Sequence, residues 1–354
     1  MPPDISNRTR VSVDKLLYSR DVPSIMPGVC SDPNFFETTV EPLLVAGREG
    51  DLCEWLKKNG LIAKEQKCPN SKCLTTDKMQ WHRARVVDKF NWMCLACKKR
   101  VPVRNLSFFA DFKCELSYAL RVIDGWCKNM PLSDFGGECK NKVNLAKRIY
   151  TACTQVSEWQ LKKIVGDFKL GGPDVVVIVD VFPDGNMSLE VPTTSHNNNF
   201  SKRVLCIADT AHVPVRVWAS LLDGSNKENS KIVEMVKNHV MLGSTIVTNE
   251  MLYPLLHNLP GIGEVISTEA LMNLDINHDH KSLKNLETIW ATTVEACIHL
   301  QDLSTTLAEQ HLIELQWRQM YGFVAFPSLI QHIVEYTAYQ NPKCPPLPSI
   351  WPTN

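Results

Sequence analysis

Residues 175–182 read VVVIVDVF, a β-branched apolar run that contains one acid, Asp180. A short run of this kind, bounded by turn-forming residues, predicts a buried strand. Similar patterns predict four more strands, at 203–209, 214–221, 244–248 and 264–267. Amphipathic patterns predict helices at 226–240, between the fourth strand and His257, and at 284–300, 305–321 and 328–339. This order predicts an α/β domain with a mixed sheet and C-terminal helices over 171–340.

The same order is that of a ribonuclease-H-like core, in which carboxylates from separate elements hold two divalent metals about 4 Å apart. Asp180 lies on the first strand, and Glu287 lies on the helix predicted to begin near Lys284. The position after the fourth strand is Asn249, whose neutral amide brings no charge to Mg²⁺ or Mn²⁺. Glu250 is adjacent, but one helical residue turns its side chain about 100° away. Asp180, Asn249 and Glu287 are therefore predicted to be a degenerate catalytic triad; a strand-end acid and a solvated helix residue are the alternative reading.

Upstream of this domain, four cysteines form two short pairs, Cys68-x4-Cys73 and Cys94-x2-Cys97. Their spacing is typical of a four-thiolate zinc ribbon, in which the segment between the pairs forms a hairpin. Four protein ligands leave no open coordination position, so the predicted Zn²⁺ is structural rather than catalytic. The alternative is a chance pairing of unrelated thiols.

Charge divides the chain into a basic part and an acidic part. Residues 68–170 hold 19 Lys+Arg against 9 Asp+Glu, a net of +10, whereas residues 171–354 hold 10 against 19, a net of −9.

Predicted helices at 141–152 and 157–168, with Ser157 as an N-cap, favour a helix-turn-helix-like module. A basic region of this kind suits phosphate backbones, and ordinary solvated lysines are the alternative. The predicted DNA contacts are Lys98, Lys99, Arg100, Gln160, Lys162 and Lys163.

The 354-residue chain is long enough for several domains. We predict an N-terminal extension (1–50), the zinc ribbon (51–105), the helical module (106–170), the α/β domain (171–340) and a Pro-rich tail (341–354). No apolar run reaches membrane-spanning length, and the N-terminus lacks the apolar stretch of a signal peptide. With 13 cysteines, an odd number, we expect a reducing, intracellular compartment and no membrane association.

Taken together, these features resemble Merlin-family transposases and their bacterial insertion-sequence relatives. The resemblance covers 52–339 and rests on the order of its landmarks, which are Trp55-Leu56, Gly60-Leu61, Cys68-Pro69, Trp92-x-Cys94, Arg104-Asn105-Leu106-Ser107-Phe108-Phe109, Trp126, Gly171-Gly172-Pro173, Asn277-His278, Glu287-x2-Trp290 and Trp317-Arg318. It implies a zinc ribbon and helix-turn-helix that grip DNA, followed by a DDE-type catalytic domain. The chain departs from the family pattern at Val181, Asn249 and Lys284.

The resemblance and these departures predict a transposase-derived, catalytically inactive protein that binds double-stranded DNA or chromatin in the nucleus. The first alternative is an active DDE transposase or nuclease that uses Mg²⁺ or Mn²⁺ at Asp180, Glu287 and Glu250. The second is a scaffold or dimerisation module, in which the acidic C-terminal domain binds protein partners or a second copy of the chain.

Overall fold

The computed structural model describes residues 32–73, 78–136, 140–164, 168–184, 200–212, 215–270, 293–294 and 297–340. These residues divide into two compact units. The N-terminal unit holds 32–160 with 321–340, and the C-terminal unit holds 161–320. Glu287, Lys284 and the predicted tail at 341–354 lie outside the described residues. Within the described part of the chain, no helix is both long enough and apolar enough to span a bilayer.

The N-terminal unit begins with two short helical turns, Phe36–Val40 and Glu41–Leu43, followed by helix α1 (Glu49–Lys58). Phe36 is buried, and its ring centroid lies 4.9 Å from that of Phe326. Within the N-terminal extension predicted over 1–50, residues 32–50 thus include short helical turns and bury apolar side chains. Gly60 follows α1 in a left-handed conformation with φ of 73°.

Strands β1 (Gln80–Arg83), β2 (Phe90–Met93) and β3 (Arg100–Pro102) form an antiparallel sheet in chain order. Trp92 faces Trp81 on one side and Val101 on the other, and the two tryptophan rings meet edge to face at 5.7 Å. Trp92 and Val101 are buried, so this row forms the inner face of the sheet. The hairpin predicted between the cysteine pairs is present as β1 and β2.

Helices α2 (Leu116–Cys127) and α3 (Lys140–Lys163) follow the sheet. Leu116, Leu120, Ile123 and Trp126, which have helical spacing in the sequence, are all buried on α2. The last described helix of the chain, Ala325–Gln340, packs against α2 and belongs to the N-terminal unit. The predicted domain boundaries placed this helix with the α/β domain, so the N-terminal unit is built from two separate stretches of chain.

The predicted helix-turn-helix is absent, because α3 is one continuous helix over both predicted helices as far as Lys163. Residues 153–156 (CTQV) contain no Gly or Pro that would end it. Ser157 is not an N-cap: its hydroxyl donates to the Cys153 carbonyl one turn earlier, at 3.0 Å. Thr154 makes the same kind of bond to the Tyr150 carbonyl.

The C-terminal unit contains strands β4 (Val176–Phe182), β5 (Arg203–Asp209), β6 (Arg216–Leu222), β7 (Thr245–Thr248) and β8 (Glu264–Ser267). Each lies within two residues of its predicted bounds. The sheet order is β6-β5-β4-β7-β8. The pairs β4–β5 and β5–β6 are antiparallel, and β4–β7 and β7–β8 are parallel. The mixed sheet and the α/β class are therefore confirmed.

Helices cover both faces of this sheet. Helices α4 (Glu228–His239) and α5 (Tyr253–Leu256) contribute to the apolar cluster that holds Val177, Val179 and Val181. Residues 297–300 and helix α6 (Thr305–Tyr321) contribute to the cluster on the other face, which holds Phe182 and Cys206. Side chains alternate along a strand, so Asp180 lies on the same face as Phe182. The helix Ala325–Gln340 is α7 in chain order.

Candidate metal centre and acid–amide pair

The four cysteines of the predicted ribbon converge on one point. The Sγ atoms of Cys68, Cys73, Cys94 and Cys97 all lie within 4.8 Å of one another. The Cys68 and Cys97 sulfurs are 3.4 Å apart, and those of Cys73 and Cys94 are 3.8 Å apart. Thiolates bound tetrahedrally at about 2.3 Å from zinc would be about 3.8 Å apart. The cluster therefore fits a metal ion such as zinc, with all four positions filled by protein.

Tight backbone turns bring each cysteine pair together. In the first pair, the Cys73 N–H donates to the Asn70 carbonyl at 2.9 Å. In the second, the Lys98 N–H donates to the Cys94 carbonyl and the Cys94 N–H donates to the Lys99 carbonyl, both at 2.9 Å. Lys98 closes this turn with φ of 59°, in the left-handed region. The second turn joins β2 to β3, and the sulfur atoms of the first pair lie against those of the second.

The thiols of Cys68 and Cys97 have different pKa values, and hydrogen bonds contribute to the difference. The Lys99 backbone N–H donates to the Cys97 sulfur and, with the side chain of Asn70, lowers the Cys97 pKa to about 6. At Cys68, the Asn70 backbone N–H acts in the same direction, but desolvation and hydrogen bonds with the other thiols raise the pKa to about 12. The Cys97 thiol is therefore more acidic than the Cys68 thiol. A divalent cation would take the place of the remaining protons.

The predicted DNA contacts lie in three places. Lys98, Lys99 and Arg100 are exposed beside the four-cysteine cluster, and Lys162 and Lys163 are exposed at the C-terminal end of α3. The prediction for Gln160 is wrong, because its side chain is fully buried and cannot reach a DNA groove. Gln160 was predicted to face solvent on a short second helix; in the continuous helix α3 its position turns inward.

The side chains of Asp180 and Asn249 are in contact at the C-terminal ends of β4 and β7. Asn249 directly follows β7, the parallel neighbour of β4, so it lies beside Asp180. The Asp180 carboxylate is 1% exposed and Asn249 is 4% exposed. The Asn249 side-chain Nδ2 donates to Asp180 Oδ1, which also accepts the Val181 backbone N–H at 2.8 Å. The structure thus brings together two of the three predicted triad positions; Glu287 lies outside the described residues.

A second contact fixes the orientation of the Asn249 amide. Its Oδ1 accepts the Leu252 backbone N–H at 2.8 Å, at the start of α5. Reversing the amide would place two oxygens against each other at Asp180 and two N–H groups at Leu252. Asn249 therefore presents donors, not lone pairs, to the carboxylate. Glu250 does not substitute for it, because Glu250 is exposed and its Oε1 accepts the Glu269 backbone N–H at 2.9 Å.

Two buried thiols lie beside this pair. Cys206 is opposite Asp180 in the β4–β5 register, and its Sγ is 3.6 Å from that of Cys297. The hydrogen bond with Cys297, burial and the nearby Asp180 carboxylate raise the Cys206 pKa well above its usual value. Cys206 is fully buried in the strand β5. Among the described residues, Asp180 therefore has the protonated thiol of Cys206 beside it.

No protein-family profile, curated protein or solved structure matches the chain.

Proposed function

We propose that this chain is a transposase-derived protein of the nucleus that binds double-stranded DNA and does not cut it. The order of its five central strands, three antiparallel followed by two parallel, supports a ribonuclease-H-like core. The converging thiols support a zinc ribbon with a structural Zn²⁺. The basic segment that contains the ribbon supports binding to phosphates.

One observation carries the proposed loss of catalysis: the hydrogen bond from Asn249 Nδ2 to Asp180 Oδ1. A two-metal site needs carboxylates that together offset the charge of two divalent cations. Asn249 adds no charge, and its N–H group occupies a lone pair that Asp180 would offer to a cation. The described residues therefore do not fit a pair of Mg²⁺ or Mn²⁺ ions, and Cys206 and Cys297 add no hard oxygen ligand.

DNA binding is expected to depend steeply on salt. Five of the predicted contacts are exposed cations, namely Lys98, Lys99, Arg100, Lys162 and Lys163. If each neutralises one phosphate, the log–log slope of affinity against salt is about −4.5, and affinity falls about 500-fold between 50 and 200 mM salt. Fluorescence polarisation of a mixed-sequence duplex, titrated with the zinc-loaded full chain at several salt concentrations, measures this slope.

The same titration separates DNA binding from the scaffold alternative. Absence of salt-dependent binding by zinc-loaded protein would remove the proposed function. If, in addition, light scattering showed a stable dimer, the alternative of a dimerisation module would be favoured. Binding together with self-association would be consistent with a DNA-bound assembly.

Restoring the missing carboxylate is expected to create a cation site. In Asn249→Asp, two buried carboxylates face each other, which destabilises the metal-free protein by about 2–4 kcal/mol. A divalent cation between them relieves this repulsion, so millimolar Mn²⁺ should raise the melting temperature of the variant and leave that of the natural protein unchanged. Thermal unfolding with and without Mn²⁺ measures both effects.

The matched control is Asn238→Asp, the same change at an exposed position on α4. It should alter neither the stability nor the response to Mn²⁺. Conversely, nicking of supercoiled DNA by the natural protein with Mg²⁺ or Mn²⁺, lost in Asp180→Ala, would overturn the proposal. That result would establish the alternative of an active nuclease.

A further inference from the structure

The outer face of the β1–β2–β3 sheet is polar, and strand pairing shows which residues share it. Two cross-strand rows lie on this face: Gln80, Met93 and Arg100, then His82, Asn91 and Pro102. The row between them, with Trp92 and Val101, is buried on the other face. Gln80, His82 and Arg100 are exposed, and Asn91 is half-buried. The amide, imidazole and guanidinium groups on this face are the kinds that hydrogen-bond to base edges.

Cations lie at both ends of this face. Lys98 and Lys99 are exposed at the metal end, just before β3, and Arg85 and Lys89 are exposed in the turn that joins β1 to β2. In the described part of the chain, no ion pair engages Arg85, Lys98 or Lys99. Residues 78–105 hold 8 Lys+Arg against 1 Asp+Glu, a net of +7.

The single acid in that segment does not weaken the positive surface. Asp88 lies in the β1–β2 turn, but its side chain is only 8% exposed. Both of its oxygens accept hydrogen bonds from the Arg104 guanidinium, which is itself buried. The charge of Asp88 is therefore neutralised inside the protein. At the surface of the turn, Glu49 interacts electrostatically with Lys89, whereas Arg85 keeps its charge.

The dimensions of the sheet match a DNA groove. A four-residue strand spans about 10–13 Å, so the two cationic ends are separated by about the 12 Å width of the major groove. A two-stranded β-ribbon fits into that groove. Cations at its ends would then meet phosphates on both sides, while side chains between them face the base edges.

We propose that the outer face of the β1–β2–β3 sheet enters the major groove of duplex DNA. Arg85 and Lys89 contact phosphates on one side of the groove, and Lys98 and Lys99 contact phosphates on the other. Gln80, His82 and Asn91 face the floor of the groove. This inference rests on the proposed DNA binding and places Arg85 and Lys89, instead of Lys162 and Lys163 of α3, beside Lys98, Lys99 and Arg100, so the expected number of cationic contacts stays at five.

Charge-neutral and isosteric variants of the full zinc-loaded chain test this assignment by polarisation with the same duplex. Arg85→Gln/Lys89→Gln should reduce the salt slope by about 1.8 and weaken binding about tenfold. Its control, Lys227→Gln/Lys237→Gln, removes two exposed cations from the region of α4 and should leave binding unchanged. Asn91→Asp places a negative charge on the face without changing its shape and should also weaken binding about tenfold, unlike Asn238→Asp.

The outcomes separate this inference from the proposed function. Zinc content and circular dichroism confirm that each variant is folded. Tenfold losses confined to the sheet variants support the inference. If the natural protein binds DNA and the sheet variants bind equally well, the inference is wrong and the proposed function stands; a loss in Lys162→Gln/Lys163→Gln would then locate the contact at the end of α3. If the natural protein does not bind duplex DNA, both fail.

Discussion

Replacing Cys94 by serine is expected to abolish metal binding and unfold the ribbon. Cys94 is 2% exposed, and its sulfur is one of the four that converge. A serine hydroxyl stays protonated at neutral pH and is a poor zinc ligand, so the tetrahedral site loses a quarter of its ligands. Structural zinc sites contribute about 10–16 kcal/mol of binding energy at neutral pH, and a large part of this is lost with one ligand.

The β1–β2–β3 sheet is small, so we expect the proposed metal to contribute much of its stability. Its three strands contain only four, four and three residues, and isolated short strands are marginal in water. Colorimetric zinc determination should therefore fall from about one ion per chain to near none. Fluorescence of Trp81 and Trp92, which pack in the sheet, should report loss of the folded ribbon. Limited proteolysis should gain new cleavage sites between 66 and 105.

Cys114→Ser is the matched control, since Cys114 is a free thiol in the same unit that does not belong to the cluster. It should keep the zinc, the fluorescence and the protease resistance of the natural protein. A Cys94→Ser variant that retained stoichiometric zinc and a folded ribbon would show that the four thiols are not the metal centre. Lowering the pH of the natural protein should also release zinc, because protons compete with the metal for thiolates.

The strands of the C-terminal unit were predictable because local sequence decides them. In VVVIVDVF and STIVT, almost every side chain is buried on both faces, which gives continuous apolar runs. The proximity of Asp180 and Asn249 also follows from the order of the elements, because adjacent parallel strands place their C-terminal ends at one edge of a sheet. The hydrogen bond between them was not predictable, because it depends on a rotamer that Leu252 fixes from the following helix.

The failed predictions have both local and non-local causes. Serine is a common N-cap residue, yet the Ser157 hydroxyl donates a hydrogen bond to the Cys153 carbonyl and the helix continues. Gln160 is polar, yet packing buries it on α3. The position of α7 in the N-terminal unit depends on contacts with α2, about two hundred residues earlier in the chain. The polar face of the β1–β2–β3 sheet was not predicted, because the alignment of Gln80 and His82 with Asn91 and Arg100 depends on the strand register.

Replacing Asp88 by asparagine is expected to be among the most destabilising single changes in the N-terminal unit. The Arg104 and Asp88 side chains are 9% and 8% exposed, and the guanidinium bonds to both carboxylate oxygens. Arg104 also donates to the carbonyls of Phe112 and Cys114. Its charge thus ties the β1–β2 turn to the segment that leads into α2. The asparagine keeps the shape but leaves this buried charge uncompensated.

Removing one partner of a buried ion pair typically costs about 3–5 kcal/mol, because the remaining charge has lost both water and counter-ion. Urea unfolding monitored by tryptophan fluorescence measures this loss for Asp88→Asn. The matched control is Asp51→Asn, which breaks the pair with Arg48; those side chains are 46% and 60% exposed, so the expected loss is below about 1 kcal/mol. Equal losses in the two variants would show that the Asp88–Arg104 pair is solvated and does not anchor the turn. A loss several times larger in Asp88→Asn would show that the one acid between residues 78 and 105 stabilises the protein, which leaves the cations around it available for a ligand.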